Sequence, residues 1–279
     1  MADFQASFVP PDPTASEVGE PTDTVDLSGG VIRYLRRGDS GDVVILLHGF
    51  GGDLNNWLFN YEALAATRTV YALDLPGHGG SSKQVGEGTL GEFTKTLSGF
   101  MDAVGVEKAH LAGHSMGGAV ALDFALAHPG RALSLALIAS AGLGAEIDGD
   151  YIEGFVTAGR RRDIKPHLEK LFADSGLVGR QLIDDILKYK RLDGVDSALR
   201  AIADQFFPGG EQSAVLGGRL GELSIPVQVI WGSEDRILPA SHAEGLPANT
   251  KIQIIQGSGH MVQMEAAAEV NRAIVDFWE

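Results

Sequence analysis

The chain has 279 residues, enough for one large core or one core with an inserted subdomain. A formal charge of −15 argues against nucleic acid as a partner, because phosphates require a basic surface, and a 44% hydrophobic share describes a soluble globular chain. With no cysteine there are no disulfides, thiolate metal sites or cysteine nucleophile, and with no signal-like or membrane-length apolar segment a cytoplasmic protein is expected.

Residues 1–25 are rich in Pro, Ser, Thr and acid and read as a flexible leader or linker. From Val31 onward strand and helix patterns alternate. Residues 31–35 alternate in polarity, and 43–47 form a continuous apolar run, as expected of a strand buried on both faces. Residues 70–73 are a further strand, closed by Pro76-Gly77, and 92–104 have helical spacing. A short strand over 109–112 runs into Gly113-His114-Ser115-Met116-Gly117-Gly118, and the alanine- and leucine-rich run that follows is helical. Residues 134–138, 227–231 and 251–255 are the remaining strands, and 263–278 form a closing helix.

Such alternation builds an α/β fold, a mostly parallel central sheet with helices on both faces. It stops over 141–218, where apolar residues recur at helical spacing, as in Leu182, Ile183, Ile186 and Leu187. That segment is expected to be a helical lid inserted into a core formed by 26–140 and 219–279.

Gly-x-Ser-x-Gly between a strand and a helix has a steric reason: a sharp elbow leaves no room for side chains at Gly113 and Gly117. It lifts the Ser115 hydroxyl above the sheet, with a helix N-terminus behind it. A serine needs a base, and the base needs an acid to fix its tautomer. His260 lies in a small-residue loop directly after the last strand, at the same sheet edge and in the expected chain order, and is assigned as the base. His48 and His78 read as loop residues, and His114, beside the nucleophile, as a packing residue. Asp235, in the turn after residues 227–231, is preferred as the acid over Glu234; Asp74 and Asp123 are rivals, the first in a turn where carboxylates bond local amides. The oxyanion donors are expected to be the amides of Met116 and Phe50. Arg160, Arg161, Arg162, Lys188, Lys190 and Arg191 read as the solvated face of lid helices, with Asp184, Asp185 and Asp193 nearby. No histidine pair has metal-ligand spacing, and Gly51-Gly52 lacks the Lys-Ser/Thr of a phosphate loop; neither a metal nor a cofactor is expected.

His48-Gly49-Phe50, Asp74-Leu75-Pro76-Gly77-His78-Gly79, Gly113 to Gly118, Trp231-Gly232-Ser233-Glu234-Asp235 and Gly259-His260 occur in the order of the α/β-hydrolase superfamily, which the chain resembles from Val31 to Trp278. Four further stretches are similar to the hydrolase-like domain of acetoin dehydrogenase dihydrolipoyllysine acetyltransferase components. They are Gly51 to Trp57, Glu146 to Tyr151, Leu187 to Gly194 and Phe206 to Gly210. In that group a lipoyl domain precedes the hydrolase-like domain. Here no lipoyl-lysine hairpin is found, and the leader resembles only the linker that would follow one. The resemblance implies a serine esterase acting on a small ester or thioester. Its alternative is an acyltransferase or carrier-docking component of an acetoin dehydrogenase complex, receiving a lipoyl domain in trans. Peracid formation and carbon–carbon cleavage use the same triad, and sequence does not separate them.

Overall fold

Apolar runs that alternate with amphipathic helices become buried strands flanked by helices in the computed structural model, which describes residues 21–278. The strands are β1 (Thr22–Leu27), β2 (Gly30–Arg37), β3 (Val43–Leu47), β4 (Thr69–Leu73), β5 (Ala109–His114), β6 (Ala132–Ile138), β7 (Val227–Gly232) and β8 (Thr250–Ile255). They form one sheet in the order β1-β2-β4-β3-β5-β6-β7-β8. β1, β2 and β4 pair antiparallel; from β4 through β3, β5, β6 and β7 to β8 every pairing is parallel. All residues of β4, β5 and β7 are buried, whereas the edge strands β1 and β8 are largely exposed. That contrast explains the continuous hydrophobicity of the central runs.

The helices are α1 (Tyr61–Ala65), α2 (Leu90–Ala103), α3 (Met116–Ala127), α4 (Gly149–Thr157), α5 (Arg161–Glu169), α6 (Arg180–Lys190), α7 (Val195–Phe206), α8 (Val262–Glu265) and α9 (Ala267–Trp278). α2 begins with a capping box, in which the Thr89 side chain receives an amide of the first turn and Glu92 accepts from the Thr89 N–H. α3 is apolar on every face because it packs on β5 and β6 beneath α2. α4 to α7 lie between β6 and β7 in the chain, where the sequence shows helical periodicity without strands. No helix among the described residues is long and apolar enough to cross a membrane.

Two expectations are corrected. β1 starts at Thr22, inside the stretch 1–25 assigned to the leader; residues 1–20 lie outside the described residues. Its sequence Thr-Asp-Thr-Val-Asp-Leu gives a weak apolar signal because it is an exposed edge, paired only with β2. The closing helix is two helices, broken at Ala266, whose φ of −124° and ψ of 42° leave the helical region.

Candidate active site

The site assembles at the carboxyl edge of the parallel strands, where the loops after β3, β5, β7 and β8 meet. β5 ends at His114 and α3 begins at Met116, so the whole reversal falls on Ser115, with φ 51° and ψ −121°. This is a region that side chains rarely adopt. Neighbouring backbone holds it there. The Ser115 N–H donates to the Ile138 carbonyl at 3.0 Å, and the Ser115 carbonyl accepts from Gly118, Ala119 and Ala141. A Cβ on Gly113 would stand 2.3 Å from the Gly117 oxygen, and one on Gly117 would stand 2.5 Å from the Leu47 and His48 oxygens. Both glycines are therefore demanded by close approach of backbone.

His260 stands in the loop after β8, 2% exposed, with Nδ1 2.8 Å from Asp235 Oδ2. The same Asp235 oxygen accepts from Trp231 Nε1 at 3.0 Å, while Oδ1 accepts from the Ile237 and Leu238 amides at 2.8 and 3.0 Å. Asp235 thus both caps its turn and reaches the imidazole. An imidazole donating from Nδ1 keeps Nε2 as a proton acceptor. Ser115 and His260 line one cavity. Among the described residues no hydrogen bond joins the Ser115 hydroxyl to the ring; contacts of this kind commonly tighten only around a bound substrate.

In the loop after β3, Gly49, the residue before Phe50, packs on Ser115: a Cβ on Gly49 would stand 2.9 Å from Ser115 Cβ. Among the described residues no protein acceptor engages the amides of Phe50 and Met116. The flanking amides are committed, Gly51 N–H to His78 Nε2 at 3.0 Å and Gly52 N–H to the Gly49 carbonyl at 3.1 Å. His48 Nε2 accepts from Leu75 N–H at 2.9 Å. Burial pushes the pKa of His48 down and that of His78 well down, which keeps both rings neutral and able to accept.

Two side chains contact the His260 loop, His114, read from sequence as a packing residue, and Glu265, which sequence reasoning did not single out. His114 Nε2 donates to the His260 carbonyl, so it does more than pack. Glu265 accepts from Gly259 N–H at 2.9 Å and from Ala173 N–H at 2.8 Å, tying that loop to the segment after α5. Burial raises the pKa of its carboxyl. Glu265 sits within an apolar helical run and had no motif to mark it; only its place five residues after His260 was a clue.

The rival acids lie elsewhere. Asp74 is fully buried and accepts from Gly80 N–H, as a turn carboxylate would, but also from Leu54 N–H and Arg33 Nε across the fold. Asp123 receives the Thr94 hydroxyl between α3 and α2. In the basic cluster Arg161 pairs with Asp184 at 2.5 Å, Arg162 with Asp163 at 3.1 Å, and Lys190 with the Val156 carbonyl at 2.9 Å.

The cavity over Ser115 has a volume of about 800 Å³ and lies between the sheet edge and the segment that carries α4 to α7. Tyr151 and Phe155 of α4, Ile186 and Tyr189 of α6 and Phe207 beyond α7 face the loop of Phe50 across it. Its walls are thus mainly apolar and aromatic, with a smaller number of polar groups among them, as in small-molecule sites generally.

A family model described as alpha/beta hydrolase fold matches residues 42–267. Over 246 residues the chain is 49% identical to the dihydrolipoyllysine-residue acetyltransferase component of the acetoin cleaving system of Cupriavidus necator, a match covering 88% of this chain and 66% of that protein. The component of the same name from Pseudomonas putida is 48% identical over 275 residues, 98% of this chain and 74% of that protein. The chain therefore spans just under two thirds of the first relative and somewhat more of the second. Among solved structures, a meta-cleavage product hydrolase from Pseudomonas fluorescens superposes with a TM-score of 0.83 at 23% identity, covering 92% of this chain and 97% of that one.

Proposed function

The chain belongs to the alpha/beta hydrolase fold family, and from that premise we propose that it is a serine hydrolase cleaving a small carboxylic ester or thioester. His260 Nε2 takes the proton of the Ser115 hydroxyl as Oγ attacks the carbonyl carbon. The oxyanion that forms accepts from the Phe50 and Met116 amides. Collapse breaks the bond to the leaving alcohol or thiol, which takes its proton from the imidazolium. Water, activated by the same ring, then hydrolyses the acyl-Ser115 ester and frees the acid. Asp235 fixes the ring tautomer and stabilises the imidazolium. Residues 141–218 serve as a lid whose side chains form the acyl pocket. The observation that carries this reading is the 2.8 Å contact of His260 Nδ1 with Asp235 beside a cavity that Ser115 also lines.

Turnover of chromogenic esters from acetyl to decanoyl tests it. Ser115→Ala should lower kcat by roughly a thousandfold or more. Hydrolysis undiminished in that variant refutes the mechanism.

A second reading is supported by the 49% identity to an acetyltransferase component. Here the chain is the acyltransferase or carrier-docking part of an acetoin dehydrogenase-type complex, and the acyl-enzyme exchanges with a lipoyl domain supplied in trans instead of with water. Titration with a separately made lipoyl domain, with S-acetyl-dihydrolipoamide as acyl donor, distinguishes the two. Absence of binding at high micromolar concentration disposes of the transferase.

A further inference from the structure

The cavity over Ser115 carries a charge pattern that restricts what it can hold. Its lining, among the described residues, holds four acidic side chains, Asp53, Asp174, Asp185 and Glu265, and neither lysine nor arginine. Asp174 and Asp185 are exposed and sit at the mouth. Both Glu265 oxygens are occupied by amides. Asp53 differs from these. It is half-buried, three residues after Phe50, and only its Oδ1 is engaged, by the Asn55 N–H at 2.8 Å; no protein donor reaches Oδ2 among the described residues. Most other side chains of the wall are aromatic or aliphatic, Phe50, Phe155 and Phe207 among them, with uncharged polar groups such as Asn56 and Ser258 between.

We propose that this cavity selects acyl groups without a carboxylate, and that Asp53, beside the Phe50 loop, is the residue that sets the selection. The inference rests on the hydrolase reading and names its substrate class: a neutral acyl chain, whose free polar hydrogens, if any, are met by Asp53. An anionic acyl group would leave water for a pocket whose lining offers it neither lysine nor arginine, and would add a second negative charge near the first. Burial and the charge of Asp74 push the Asp53 carboxyl up, so the comparison belongs well above the ordinary carboxylate range, where the side chain carries its charge.

Phenyl butanoate and phenyl hydrogen succinate test the proposal, because they match in acyl length and differ by one terminal carboxylate. Their binding to the Ser115→Ala chain is measured by calorimetric titration at about pH 8, above the ordinary carboxylate range. Wild-type kcat/KM for the same pair is measured beside it. The butanoate should bind at least about tenfold more tightly, and Asp53→Asn, in the Ser115→Ala background, should narrow that gap severalfold. Asp53→Ser, which also keeps an oxygen for the Asn55 amide, should narrow it likewise and guards against misfolding of the first variant. Equal or tighter binding of the succinate, a gap unchanged in both Asp53 variants, or no binding of either ester at millimolar concentration overturns the proposal. A binding preference in Ser115→Ala with no wild-type hydrolysis of either ester would instead refute the hydrolase reading and leave the charge selection standing.

Discussion

His114 Nε2 lies 2.9 Å from the main-chain oxygen of His260, with the two rings 4.8 Å apart between centroids, so the residue before Ser115 grips the backbone of the loop that carries the imidazole. Burial, with the nearby His260, holds the pKa of His114 well below its ordinary value. The ring is therefore neutral, and its one N–H is at Nε2, facing that carbonyl. His114→Phe should keep the packing, strand the His260 carbonyl, and cost about 1–3 kcal/mol of stability. It should also lower kcat by roughly tenfold or more through looser placement of the base, with KM little changed. His114→Gln, whose amide nitrogen can take the place of Nε2, should recover most of that kcat. Equal kcat in the Phe and Gln variants would mean that only packing matters at this position.

Asp235 accepts four N–H groups, from His260, Trp231, Ile237 and Leu238, and its side chain is fully buried. An amide in its place has one acceptor oxygen and turns its two donors towards groups that also donate. Asp235→Asn is expected to lower kcat by roughly a thousandfold or more, as the imidazole loses the partner that holds the Nδ1–H tautomer. Denaturation should show a loss of about 1–3 kcal/mol from stranded buried donors. Activity within tenfold of wild type would remove Asp235 from the acid role.

The central strands were legible because β3, β4 and β7 are buried on both faces and leave largely apolar runs, interrupted in β7 only by Gln228, whereas β1, exposed and paired on one side, leaves almost none. Ser115 was legible through the glycines that its elbow requires. Asp235 and His260 could be read from where their strands end, since parallel strands deliver their following loops to one edge. His114 and Glu265 were not, because each acts on a main-chain atom of a loop distant in sequence or unmarked by motif. A side chain that bonds backbone can be matched to its partner only after the fold has brought the two together. Asp74 was half legible: its turn amide follows from local chemistry, its bonds to Arg33 and Leu54 from the tertiary fold alone.

Ser115 and Ala139 are the non-glycine residues at positive φ among those described. For Ser115 the conformation costs on the order of 1–3 kcal/mol, retained because it presents the hydroxyl. Ser115→Gly should therefore be more stable than Ser115→Ala by about 1 kcal/mol, after the greater unfolded-state freedom of glycine is set against the relief. Both variants should be inactive, and urea denaturation of the pair reads the difference. A glycine variant less stable than the alanine variant would show that the elbow is unstrained.

His48, His78 and His114 are buried close to the site, and burial lowers the pKa of each below its ordinary value. In the unfolded chain the same groups titrate near about 6.5. Between the lowered native values and that point the unfolded state binds more protons, so stability rises with pH there. Their contribution is whole above about pH 6.5 and falls as the solution is acidified, with a slope of up to about 1.4 kcal/mol per pH unit for each ring. Asp53 and Glu265, whose carboxyls burial raises, act in the opposite sense, but they are fewer. Urea denaturation from about pH 8 down to about pH 5.5 should show unfolding free energy level at first and then falling below about pH 6.5. His78→Gln, which can still accept from the Gly51 amide, should reduce the slope by removing one of the three rings. A free energy that stays level or increases on acidification over that range would mean that these histidines are charged within the fold.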